Sequence, residues 1–123
     1  MPNYCLIVEP SPLVARDLAL TAEEYGLTAI IVANDEAALN WLAQAEKPRL
    51  SVAFIHQGAE VFENSPLHRQ LAGVRVRIVL MGGDVAQLRG AGHWWSLEWP
   101  FTTGHVSALL DRLGLRRPGE CEP

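Results

Sequence analysis

Cys5-Leu6-Ile7-Val8-Glu9-Pro10-Ser11-Pro12 carries a strand, a turn and a helix start within eight residues. The first four are apolar without a polar alternation, as a parallel strand covered on both faces requires. Glu9 and Pro10 end that run. Ser11-Pro12 then places an N-capping residue ahead of proline at the first helical position, where a missing N–H costs nothing. A strand passing directly into a helix is the opening half of a βαβ unit.

The rest of the chain repeats this alternation. Leu13, Val14, Leu18, Leu20 and Ala22 supply the buried side of the first helix, and Gly26 offers the left-handed conformation that ends it. Thr28 to Val32 reads as the second strand, Asn34 or Asp35 as the cap of a helix carrying Ala38, Leu39, Trp41 and Leu42, and Pro48 as a stop. Leu50 to Ile55 is the third strand and runs into His56-Gln57-Gly58. Ser65-Pro66 repeats the Ser-Pro start, Leu67 and Leu71 give a short apolar stripe, and Gly73 ends that helix. Val76 to Leu80 is the fourth strand. Gly82-Gly83-Asp84 opens a short helix that reaches no further than about Arg89, because Gly90 and Gly92 follow. Trp94 to Leu97 forms the fifth strand, and Thr102 caps a last helix with Val106, Leu109, Leu110 and Leu113 at helical spacing.

Five strands alternating with five helices imply parallel strands, right-handed crossovers and a doubly wound α/β sheet with helices on both faces. In such sheets the site lies at the carboxyl ends of the strands. Those ends are Glu9-Pro10, Ala33-Asn34, His56-Gln57, Met81-Gly82 and Glu98-Trp99.

The 123 residues fit one domain, and 49% hydrophobic with 20% charged residues suffices for a real core. We expect a domain over residues 3–115 and a flexible tail over 116–123. The start of the chain has no basic region, cleavage-like site or apolar run of membrane-spanning length, so export and insertion are disfavoured and a cytoplasmic location is expected. Cys5 and Cys121 are the two cysteines and indicate no disulfide framework. Net charge is −4, and of ten basic residues Lys47 is the one lysine. They form no stripe, which argues against a nucleic-acid face. Arg112, Arg116 and Arg117 cluster near the end, where basic residues complement the carbonyl end of a last helix.

The order of elements, the Ile7-Val-Glu-Pro-Ser-Pro12 start and the closing Gly92-His-Trp-Trp-Ser-Leu-Glu-Trp-Pro-Phe101 resemble a response-regulator receiver (CheY-like) domain over about residues 4 to 114. Trp99-Pro100-Phe101-Thr102 is similar to the Lys-Pro-Phe segment that precedes the family's last helix. The resemblance implies a flavodoxin-like (βα)5 fold with strand order 2-1-3-4-5, and makes the Trp99–Pro100 bond a candidate for the cis form. It also implies a chemistry whose side chains are missing here. The family holds Mg²⁺ with an acidic pair after the first strand, where this chain has Glu9 and Pro10. Its nucleophilic aspartate, which forms an acyl phosphate, corresponds to His56. Its hydroxyl after the fourth strand corresponds to Met81, its lysine to Trp99, and its aromatic switch residue to Ser96. None of Asp17, Asp35, Asp84 or Asp111 falls at the end of the third strand, so no other aspartate takes over. From the fourth-strand end to Pro-Phe the chain is shorter than a typical receiver by about one helical turn of ~3.6 residues. That shortens the fourth helix, part of the surface through which many members signal.

Sharper uses of these residues fare poorly. A phosphohistidine at His56 would sit at a strand end, whereas phosphotransfer proteins present theirs on an exposed helix. A structural, hydrogen-bonded His56 fits better. Glu9 and His56 alone are too few ligands for a metal, and His68, His93 and His105 lack ligand spacing. Gly82-Gly83 lacks the spacing of a nucleotide loop. Trp94 and Trp95 are neighbours and cannot both face one side of a regular strand, so with Ser96 they are candidates for a partner interface.

The expected function is therefore a phosphorylation-independent signalling module, a stand-alone degenerate receiver that binds a protein partner or a second copy of itself. No enzyme activity, cofactor, metal, nucleic acid or membrane is expected. The alternative is a small-ligand sensor with His56, Met81 and Trp99 lining an apolar pocket at the strand ends.

Overall fold

The computed structural model describes residues 3–44, 49–57, 59–73, 76–81, 95–97 and 102–115. Strands β1 (Asn3–Val8), β2 (Leu27–Val32), β3 (Leu50–Ile55), β4 (Arg77–Leu80) and β5 (Trp95–Ser96) form one sheet in the order β2-β1-β3-β4-β5. Every neighbouring pair is parallel. The expected sheet and its order are thus present. The helices are α1 (Pro12–Glu24), α2 (Asp35–Gln44), α3 (Ala59–Glu63), α4 (Pro66–Ala72) and α5 (Thr103–Arg112).

Side chains alternate across each strand, and the sheet therefore serves two apolar layers. Cys5, Ile7, Val52, Phe54 and Val79 join Ala15, Leu18 and Ala22 of α1 and Val106, Leu109 and Leu110 of α5. Leu6, Val8, Ala53, Ile55, Ile78 and Leu80 join Ala38 of α2, Phe62 of α3, and Leu67 and Leu71 of α4. Both faces of the three central strands are covered, which explains their unbroken apolar runs.

Local signals set the boundaries. Gly26 takes a φ of 80°, the left-handed conformation that lets the chain leave α1 and start β2 at the next residue. Asn34 caps α2 by accepting the Ala37 N–H at 2.9 Å. Ser65 caps α4 by accepting from the His68 N–H at 3.2 Å. At α5, Thr102 Oγ1 accepts from the His105 N–H while His105 Nδ1 accepts from the Thr102 N–H, a reciprocal box.

Three expectations need correction. Leu13 and Leu20 are 79% and 51% exposed and do not belong to the buried side of α1. Ala15, Leu18, Ala19 and Ala22 occupy the i, i+3, i+4, i+7 stripe instead, and at ~100° per residue Leu13 and Leu20 fall opposite it. Ser11 stands at the N-cap of α1 in extended geometry, but its hydroxyl makes no capping bond. The five-residue helix α3, which has no strong start signal, was not expected. The short helix expected over Asp84 to Arg89, the Trp99–Pro100 bond and the tail 116–123 lie outside the described residues, as do Trp94 and Trp99.

Candidate functional site

The backbone ladder runs one residue past the strands and fixes where their end groups sit. Glu9 N–H donates to Val32 O at 3.0 Å, His56 N–H to Val8 O at 2.9 Å, Met81 N–H to Ile55 O at 2.9 Å and Leu97 N–H to Leu80 O at 3.1 Å. Val8 pairs with Ile55 in register, so the next residues, Glu9 and His56, come side by side. Their meeting follows from parallel register alone.

The result is a tight pair. His56 Nδ1 lies 2.6 Å from Glu9 Oε1, and since a carboxylate accepts, Nδ1 carries the proton. Glu9 Oε2 accepts the Ser11 N–H at 2.9 Å. Both carboxylate oxygens are therefore engaged. The Glu9 side chain is 2% exposed and that of His56 42%, so the acid is buried and the imidazole covers it. A buried carboxylate needs such partners, and the adjoining N-terminus of α1 adds a favourable dipole.

Around this pair the side chains differ from those that the receiver chemistry uses. Pro10 brings no side-chain oxygen, His56 stands where a carboxylate would be, and Glu9 has both oxygens committed. Magnesium demands several free oxygen ligands in near-octahedral array, so it does not fit. Among the described residues no group of three or more His, Cys, Asp or Glu is placed to hold a metal ion. Met81 is buried with Leu97 in the layer beneath α1 and α5 and offers no hydrogen-bond donor. Trp95 is half-buried against the same layer, and its ring lies 5.4 Å from the Arg112 guanidinium carbon. Such stacking fixes a tryptophan and a cation together. Nothing is described for the Ser96 side chain.

On the other side of His56 an open depression of about 520 Å³ is lined by Val8, Pro10, Ala33, Asn34, Asp35, Glu36, His56 and Gln57. Met81 does not line it, and its wall is polar in part, unlike the apolar pocket expected beside Met81. Gln57 Nε2 donates to Asp35 Oδ1, which settles the orientation of the amide because a carboxylate accepts only. Gln57 Oε1 is left buried without a partner. Neither the depression nor the Gln57–Asp35 bond was legible in the sequence, since three separate loops meet there. That Ala33-Asn34 and His56-Gln57 both follow strand ends, on either side of β1, was the one available signal.

An open parallel sheet in this order, with its end residues arrayed over β1, β3 and β4, is the architecture of receiver domains. Solved structures agree. The chain superposes on a response regulator receiver protein from Burkholderia phymatum with a TM-score of 0.71 at 19% identity, covering 96% of this chain and 99% of that one. For the chemotaxis response regulator CheY4 of Vibrio cholerae the TM-score is 0.69 at 18% identity, with 92% and 98% covered. For SdrG from Sphingomonas melonis Fr1 it is 0.65 at 24% identity, with 91% and 96% covered. At these identities the match is one of fold, and the chain has the CheY-like receiver fold. No family model and no curated protein matches the sequence.

Proposed function

We propose that this chain is a signalling module of receiver fold that works without phosphorylation, by binding a protein partner in the cytoplasm. The observation that carries the reading is the His56–Glu9 pair, closed at 2.6 Å over the place where a receiver would need a free carboxylate and a bound cation. A phosphoryl group arriving there would meet a buried acid, no free cation ligand, and Met81 in place of a hydroxyl. Among the described residues no helix is long and apolar enough to cross a membrane. That accords with a location among soluble partners.

The test is chemical. Incubation with acetyl phosphate and Mg²⁺ should leave the intact mass unchanged, and beryllofluoride should give no bound fluorine resonance. The variant His56→Asp should fold and remain equally inert, because Met81 and Pro10 are untouched. A stoichiometric beryllofluoride adduct on the native chain would overturn the reading.

A second reading rests on the depression beside His56. With Asp35 and Glu36 in its wall, it offers carboxylate acceptors and suits a small ligand rich in N–H or O–H donors. Calorimetric titration against a panel of small amines and amides, compared with a Gln57→Leu variant, distinguishes it from partner binding.

A further inference from the structure

No further inference is drawn: the strongest candidate, the depression beside His56 at the ends of β1, β2 and β3, belongs to the site already described, and beyond the carboxylates of Asp35 and Glu36 at the start of α2 nothing in the structure points to what would occupy it.

Discussion

α1 and α2 lie on opposite faces of the same edge strand, β2, and hold to the sheet by different means. α1 sinks Ala15, Leu18, Ala19, Thr21 and Ala22 into the layer it shares with α5, its alanines letting the backbone approach the strands. At its end Tyr25 is 5% exposed, with its hydroxyl 2.7 Å from Asp111 Oδ1 and 3.0 Å from Ser107 O, which ties α1 to α5. In α2 only Ala38 is fully buried, and Leu39, Trp41 and Leu42 are half-buried against the sheet. Trp41 leans edge-on against Tyr4 at a ring separation of 5.6 Å. One helix is built into the core and the other lies on it. The depression beside His56 is walled by the first turn of the less anchored one.

The sharpest way to break this comparison is to truncate one leucine in each helix. Leu18→Ala should cost ~2–5 kcal/mol, because the site is fully enclosed and a cavity remains. Leu42→Ala should cost clearly less, since that side chain is already partly exposed. Urea titration of both variants gives the two values, and equal losses would erase the distinction. Hydrogen exchange sharpens it: α2 amides should open at lower free energy than those of α1.

The next effect in size comes from the pair between the two helices. His56→Ala should destabilise by ~1–3 kcal/mol, because it strips a buried carboxylate of its side-chain partner. Glu9→Gln should cost less, since His56 is half-exposed and regains water while the amide oxygen still accepts a hydrogen bond. The reverse order in thermal melts would mean that the imidazole, not the acid, is the strained member. Tyr25→Phe follows, with an expected loss of about 1 kcal/mol from the missing hydroxyl and the tie to α5. The smallest effect is none at all. Millimolar Mg²⁺ should leave the thermal midpoint unmoved, because only a ligand bound by the native state raises it. A saturable rise that vanishes in Glu9→Gln would reveal a cation site.

Much of this was legible because the determining signals are local. The apolar runs Cys5 to Val8 and Leu50 to Ile55, the Ser65-Pro66 start, Gly26 and Thr102 each specify their own few residues, and the structure follows them. The pairing of Glu9 with His56 was accessible one level up, from parallel register. What escaped depended on choices that composition does not make. α1 offers more apolar residues than one face can hold, and the smaller alanines, not Leu13 and Leu20, fit against the sheet. Gln57 meets Asp35 through two loops whose relative position no periodicity encodes. α3 is one short turn set by the packing of Phe62, which is fully buried, and not by a cap.

Cys5 sits in the sheet with no solvent exposure, between β2 and β3, and burial pushes its thiol far above the ordinary thiol range. Thiol reagents attack the thiolate. Labelling at this position must therefore wait until β1 parts from its neighbours. When closing is fast relative to reaction, the labelling rate reports the population of that opened state in undisturbed buffer. The protein thus carries in its first strand a chemical clock for its own global unfolding, one that needs neither denaturant nor heat to be read.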